Sequence, residues 1–223
     1  MKSNVSVVIR VRNEQSWIGH CIQSVLDFIE KPEIIIVDNN STDESIKYAS
    51  LFLEDPNLDK KNSNYTKIKF LKIQNYTPGR AINLGVKQCS NKYILLISAH
   101  CILQNLNKEK LINSLKKNIA VFGRQIPRYH GKKISRRYIW SHFGEKAKIN
   151  MYSNLENRFF FHNALSFFKK QTLVKYPFDE KLTSKEDRYW AQSMIKKKMR
   201  IHYLPEFFAE HHYTPDGSTW KNF

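Results

Sequence analysis

Residues 5–11, VSVVIRV, and 33–37, EIIIV, are short apolar runs rich in β-branched side chains. That is the pattern of strands buried on both faces. Between them Trp17, Ile18, Cys21, Ile22, Val25, Leu26 and Ile29 recur at helical spacing, and Lys31-Pro32 stops the helix. DNNSTDESIKYASLFL follows and predicts a second helix, with Ser41 or Thr42 as its N-cap and acids in the first turn. EDPNLDKKNSNY, 54–65, is polar and turn-rich and predicts a loop. KIKFLKI, 67–73, alternates and predicts a strand nearer an edge. PGRAINLGVKQCS predicts a helix opened by Pro78 and Gly79. YILLISAHCIL, 93–103, predicts another buried strand, turning polar at Ser98 and His100. Four strands alternating with three helices predict an α/β fold: a doubly wound, mostly parallel sheet with helices on both faces.

The second half is less regular. KEKLINSLKKN predicts a short amphipathic helix and IAVFG a strand, after which residues 124–158 mix basic and aromatic residues with Gly and Pro. FHNALSFFKK and RIHYLP predict strands. TSKEDRYWAQSMIKKKM predicts a helix in which Thr183-x-x-Glu186 forms a capping-box pattern. There is no internal repeat, and the expectation is one domain over residues 1–223.

Composition narrows the class. The chain has 223 residues, of which 41% are hydrophobic, enough for one substantial core. Its apolar runs are far too short to span a membrane. The start, MKSNVSVVIRVRNE, carries charge inside its apolar run and is not expected to be a signal peptide. Cys21, Cys89 and Cys101 are few, odd in number and far apart, which predicts free thiols in a reducing compartment. Lys and Arg number 37 against 20 acids, a formal charge of +17. Such an excess attracts something anionic: a nucleotide, an acidic membrane surface or nucleic acid. No helix-turn-helix, zinc or RNA-binding motif is present, so nucleic acid is not the expected partner.

In a doubly wound sheet, ligands bind beyond the carboxyl ends of the strands. The polar residues there are Arg10, Arg12, Asn13 and Glu14 after the first strand, Asp38, Asn39, Asn40 and Ser41 after the second, and Ser98 and His100 after the fourth; Arg80 and Asn83 open the preceding helix. No Gly-rich phosphate loop follows the first strand, so a nucleotide would be held by side chains.

VSVVIRVRNEQSWIGHCIQSVL followed by EIIIVDNNSTDES resembles the opening of the family 2 glycosyltransferases, which have an A-type nucleotide-sugar-binding fold. The resemblance continues through GRAINLGVKQCSNKYILLISAHC and the late FDE, Glu-Asp, Trp and histidine positions, over about three quarters of the chain. It implies an enzyme passing a sugar from a nucleotide-activated donor to an acceptor hydroxyl of a growing glycan, a polysaccharide or lipid-linked oligosaccharide. It further implies inversion, with work expected in the cytoplasm, and the basic surface would suit an anionic or lipid-pyrophosphate-linked acceptor, hence peripheral association at the inner membrane face. Residues 1–103 would form the donor-binding half and 104–223 the acceptor-binding, catalytic half. Asp187 would be the general base, with Glu186 as acceptor ligand or cap. A carboxylate at a helix N-terminus is expected to have a lowered pKa. Arg10, Arg12, Asn13, Glu14, Asp38, Asn39, Arg80, Asn83, Ser98 and His100 would surround the donor. Asn39 stands where the family more often has Asp, which leaves the base unspecified.

The family usually carries Asp-x-Asp after the fourth strand, binding Mg or Mn, and this chain has Ser98-Ala99-His100. Two readings stay open. His100 and His211 hold a divalent metal, or Arg80, Arg124 and nearby lysines neutralise the diphosphate without one. The loss of both aspartates also motivates a competing class, an inactive nucleotide- or sugar-binding module. Tyr138, Trp140, Phe143 and Trp190 are either sugar-stacking or core residues.

Overall fold

The computed structural model describes residues 4–53, 67–134, 138–215 and 217, and omits the side chains of 138 and 139. The expected 54–65 loop and Tyr138's side chain fall outside that description. The first half runs β1 Val5–Val11, α1 Ile18–Phe28, β2 Glu33–Asp38, α2 Ser45–Ser50, β3 Lys67–Lys72, α3 Pro78–Gln88 and β4 Tyr93–Ser98. These are the four strands and three helices the pattern predicts. Then come β5 Cys101–Asn105, α4 Lys108–Ser114, β6 Ala120–Tyr129, β7 Lys132–Lys133, α5 Tyr138–Ser141, β8 Lys148–Ile149, β9 Tyr152–Ser153 and β10 Arg158–Phe159. β11 Leu165–Lys169, α6 Lys170–Lys175, α7 Glu186–Lys196 and β12 Ile201–His212 follow.

The main sheet has the order β3-β2-β1-β4-β11-β6-β12-β5. β3, β2, β1 and β4 run parallel to one another, as do β6 and β12, while β11 is antiparallel to β4 and β6, and β5 is antiparallel to β12. Period-two alternation divides each central strand between two cores. Val5, Val7, Ile9, Ile34, Ile36, Leu95 and Ile97 meet α1 on one face. Val8, Ile35, Val37, Ile94 and Leu96 meet α3 on the other. Each such fully buried aliphatic side chain contributes about 1.5–3 kcal/mol.

Three local expectations change. YILLISAHCIL is two strands: it breaks at Ala99-His100, and β5 turns back to pair with β12. α2 starts later than Ser41 or Thr42, and its N-cap Glu44 makes no side-chain bond. The Asp38 carboxylate accepts from Ser41 N–H at 2.9 Å, so a turn competes with the helix start. Thr183 does not cap α7: the N-cap is Lys185, left-handed at φ 59°, with no side-chain cap bond. That conformation stores roughly 1–3 kcal/mol in a non-glycine residue.

β12 is kinked. Its register against β6 shifts between Leu204 and Phe208, around Pro205. Gly123 faces this bulge, where a Cβ would lie 2.3 Å from the Phe207 carbonyl oxygen and 2.5 Å from Leu165. The missing side chain lets the kink pack, and the kink leads β12 on to His211 and His212 beyond the sheet's core.

Candidate active site

Strand register gathers the polar groups. Arg10 pairs with Ser98 across β1 and β4, and the Ser98 N–H donates to the Ala164 carbonyl at 3.1 Å. His162 and Asn163 therefore lie one step past the strand end, beside Ser98. On the far side of β11, Gln125 of β6 pairs with Ala209 of β12, and His211 of β12 pairs with Cys101 of β5. Five strands thus place Arg10, Ser98, Asn163, Gln125 and His211 along one seam.

The first half of the seam holds the Glu-Asp pair. Glu186 and Asp187 are both buried at the start of α7. Asn163 is their bracket: its Nδ2 donates to Glu186 Oε1 at 2.8 Å, and its backbone N–H donates to Asp187 Oδ2 at 3.4 Å. Arg10 Nη2 donates to Asn163 Oδ1 at 3.1 Å, and Arg10 Nη1 lies 3.5 Å from Glu186. Arg188 N–H donates to Asp187 Oδ1 at 2.7 Å. Burial, then the neighbouring Glu186 charge, raises Asp187 to about 7, against the lowering pull of Arg188 and two backbone N–H groups. The expected lowering by the helix N-terminus is therefore overturned: desolvation outweighs the helix dipole. Asp187 is poised near neutrality, where a general base works best.

The second half is a histidine relay. His100 Nδ1 lies 2.7 Å from Glu14 Oε1, and His100 Nε2 lies 3.0 Å from His211 Nε2. His211 Nδ1 is 2.6 Å from Gln125 Oε1, and Gln125 Nε2 is 3.0 Å from His162 Nδ1. Burial holds His211 and His162 well below the usual histidine range, with neighbouring histidines adding to the effect at His211 and Arg188, Arg10 and His100 at His162. Burial thus favours the neutral form of both rings. Gln125, His162 and Asn163 were not singled out in the sequence. The available signal was the polar pair His162-Asn163 inside the apolar run FFFHNALSFF.

Other signature residues act locally. Asn13, left-handed at φ 52°, accepts from Thr42 N–H at 2.8 Å, and its own N–H donates to Ser41 Oγ at 3.1 Å. The N–H of Glu14 donates to Ser45 Oγ at 2.7 Å and that of Gln15 to Asp43 at 3.0 Å. The DNNSTDES motif thus staples the loop after β2 to the loop after β1, and so positions Glu14. Burial opposes ionisation of Asp43, but the Ser45 hydroxyl and backbone N–H groups prevail and lower its pKa. Asp38 is buried, Asn39 half-buried and Arg12 exposed at the same rim.

Arg80 and Asn83 lie elsewhere in the network. Asn83 donates to the Phe178 carbonyl at 2.8 Å and to Glu180 at 3.0 Å, and accepts from Phe178 N–H at 3.1 Å. Arg80 Nε is 3.4 Å from Glu180. Together they clamp the FDE segment that leads into α7. Trp140, Phe143 and Trp190 are core residues. Cys21, Cys89 and Cys101 are buried free thiols whose pKa values burial pushes upward, Cys89 to about 12.

Among the described residues no three His, Cys, Asp or Glu side chains converge as a metal-binding group. The chain itself supplies two nitrogens, those of His100 and His211. Two ligands in neighbouring positions on one metal, at bonds of 2.0–2.1 Å, stand about 3.0–3.4 Å apart. The 3.0 Å separation of the two Nε2 atoms fits that spacing. The donor set suits a metal that accepts imidazole better than it suits Mg, which prefers oxygen.

A mixed sheet with four parallel strands at one side and helices on both faces is the A-type glycosyltransferase fold. The chain belongs to glycosyl transferase family 2, whose family model matches residues 6–175. It is 27% identical over 207 residues to the minor teichoic acid biosynthesis protein GgaA of Bacillus subtilis (strain 168), covering 87% of this chain and 44% of that protein. The chain thus spans less than half the length of that relative. Among solved structures it is similar to S. aureus TarS 1-349 in complex with UDP-GlcNAc, with TM-score 0.67 and 18% identity, covering 100% of this chain and 62% of that one. It is also similar to the mannosyltransferase PcManGT of Pyrobaculum calidifontis in complex with GDP-Man and Mn2+, with TM-score 0.66 and 15% identity, covering 97% and 59%. Among the described residues no helix is long and apolar enough to cross a membrane.

Proposed function

We propose that this chain transfers a sugar from a nucleoside diphosphate sugar to a hydroxyl of a cell-envelope glycan, with inversion. Asp187 is the general base. The observation that carries this reading is its setting: a buried carboxylate raised to about 7, aimed by Asn163 and Arg188 N–H groups at the carboxyl-end rim of the sheet. There it takes the acceptor proton as the hydroxyl oxygen attacks the anomeric carbon, and the nucleoside diphosphate leaves from the opposite face. Glu186 meets the acceptor while Arg10 and Asn163 balance and orient it.

Asp38, Asn39 and Arg12 form the base and ribose rim, and Ser98 lines the diphosphate floor. Asn13 and Glu14 support the donor through the loops they hold, and Arg80 and Asn83 through the FDE segment. His100 and His211 would hold a divalent ion, which when bound would neutralise charge on the departing diphosphate. TarS with UDP-GlcNAc and PcManGT with GDP-Man and Mn2+ are similar in fold, and GgaA's name points to an envelope polymer. These likenesses support the donor class and a cell-envelope product, while work beside an acidic membrane face is read from the +17 charge alone.

The test is a screen of nucleotide sugars with teichoic-acid-type and lipid-linked acceptors, reading release of nucleoside diphosphate and the anomeric configuration of the product. Asp187→Asn is expected to lower kcat by at least about a hundredfold while leaving nucleotide binding intact. Nucleotide binding without transfer in the wild type would favour the inactive-module reading, which the absent Asp-x-Asp motif motivates.

A further inference from the structure

The candidate site occupies one end of the sheet, and the opposite end gathers positive charge. β1, β2, β3, β4, β6 and β12 all run the same way, because β11 is antiparallel to both β4 and β6. Their carboxyl ends form the rim described above, and their amino ends lie together opposite it. Register levels those amino ends: Ala120 pairs with Ile201 and with Phe168, and Lys169 pairs with Tyr93. The segments leading into them are basic. Lys92 precedes β4, Lys116 and Lys117 precede β6, and Lys196, Lys197, Lys198 and Arg200 precede β12. All are exposed. The Ile119 N–H donates to the Arg200 carbonyl at 2.9 Å, which ties the last two segments side by side, and β8 adds Lys148 opposite Tyr203. No acid occurs in residues 89–93, 115–119, 167–175 or 195–204. Backbone geometry marks one of these cations. α7 ends in a Schellman motif, in which the Lys198 N–H donates to the Ile195 carbonyl at 2.8 Å and the Met199 N–H to the Met194 carbonyl at 3.1 Å. Lys198 is left-handed at φ 60°, a conformation that glycine takes without strain and commonly supplies at this place. A lysine stands where backbone stability favours glycine.

We propose that this amino-end face docks on a bilayer of anionic headgroups and holds the catalytic rim facing away from the membrane. Charge spread over several strand ends matches a surface of headgroups, each lysine near it adding to the attraction. Ile149, beside Lys148, and Val174, on α6 after Lys169, are exposed apolar side chains that suit a bilayer interface. The same segments present no exposed aromatic ring on which bases could stack, so a nucleic acid is the poorer fit. A strand of seven residues such as β1 spans about 20 Å, which sets the distance from headgroups to rim. The acceptor is then the outer end of a glycan long enough to reach that rim, and not the sugar beside the lipid. This consequence for the acceptor rests on the sugar-transfer reading; the docking face does not.

The test uses the full chain, untagged, sedimented with phosphatidylcholine vesicles that contain or lack phosphatidylglycerol. Two variants of equal net charge are compared. Lys116→Gln/Lys117→Gln/Lys196→Gln/Lys197→Gln empties the amino-end face and is expected to weaken binding to the anionic vesicles at least about 100-fold. Lys72→Gln/Lys132→Gln/Lys133→Gln/Lys181→Gln removes as many exposed cations from the catalytic side and is expected to weaken it less than about tenfold. Lys198→Gly relieves a left-handed lysine, so it keeps the fold even if the quadruple variant does not; it is expected to lose about fivefold in binding with no fall in melting temperature. Equal losses in the two quadruple variants would mean that total charge, and not this face, drives binding. That result, or unchanged binding in Lys198→Gly, would overturn the proposal. So would loss of inorganic polyphosphate binding from the amino-end variant with vesicle binding retained, which would reassign the face to a soluble polyanion. For the acceptor, short and long lipid-anchored glycans are compared on vesicles and in detergent. The short ones are expected to fail on vesicles alone, and equal use of both on vesicles would overturn the orientation. Absence of sugar transfer under every condition, with the vesicle results intact, would sink the functional reading and leave the docking face standing.

Discussion

At the residue scale, one carboxylate carries two pH effects. Asp187's folded pKa lies near 7, above the ordinary carboxylate value of about 3.9. Between about pH 4 and 7 the native chain holds a proton that the unfolded chain has released. Stability therefore falls as pH rises through that window, and the penalty is complete above it. The active form of the base lies at the high end, so activity rises over the same range in which stability drops. Glu186 is the second cause of the raised value, after burial. Glu186→Gln is therefore expected to move the acid limb of the kcat–pH profile down by about one unit, because Arg10 and Arg188 then face Asp187 with less opposing charge. An unmoved acid limb would mean that desolvation alone sets it. The same change leaves Arg10 without its buried anion, so a melting temperature lowered by several degrees is the accompanying expectation.

At the element scale, the kink in β12 connects packing to chemistry. A methyl group at position 123 would collide with the Phe207 carbonyl oxygen and Leu165. Gly123→Ala is expected to cost about 1–3 kcal/mol and to reduce activity more than this loss alone explains, since β12 carries His211. Urea denaturation set against kcat would show it, and a stable variant with reduced activity would separate the two effects. The elements themselves were largely legible in sequence. β1, β2 and β4 are runs of Val, Ile and Leu between clear stops, and α1 and α3 show strict helical periodicity. β5 and the second half of β12 were not legible. CILQN and FFAEHH follow directly on other apolar residues, and they are strands because they pair with each other across about a hundred residues. No local pattern records such a pairing. The helix starts at α2 and α7 were misplaced for a related reason: Ser41 is engaged by Asp38 and Asn13, and α7 begins with a left-handed Lys185.

At the scale of the whole molecule, the candidate site is a product of strand order. Glu186-Asp187 and the strand-end histidine were visible as motifs, but Gln125, His162 and Asn163 become partners only when β11 and β6 insert beside β4. Charge also acts at this scale. With a formal charge of +17, the chain is expected to bind vesicles containing anionic lipid at low salt, and to lose that binding by several-fold between about 50 and 200 mM salt as screening shortens. Sedimentation with neutral and anionic vesicles measures it; equal binding to both would remove the electrostatic basis for work at the inner membrane face.

β12 lies between β6 and β5, in the interior of the sheet. On a ribosome, every strand beside it is made first. Until residue 212 has emerged, β6 offers an open edge and β5 has no neighbour. The Trp17 indole N–H, placed before α1, waits for the Tyr213 carbonyl, which it meets at 3.0 Å. Such long-range closure is slow and leaves sticky edges exposed in the meantime. The nascent sheet is therefore most vulnerable to aggregation just before β12 arrives, and the step that seals the sheet is also the one that assembles the histidine pair.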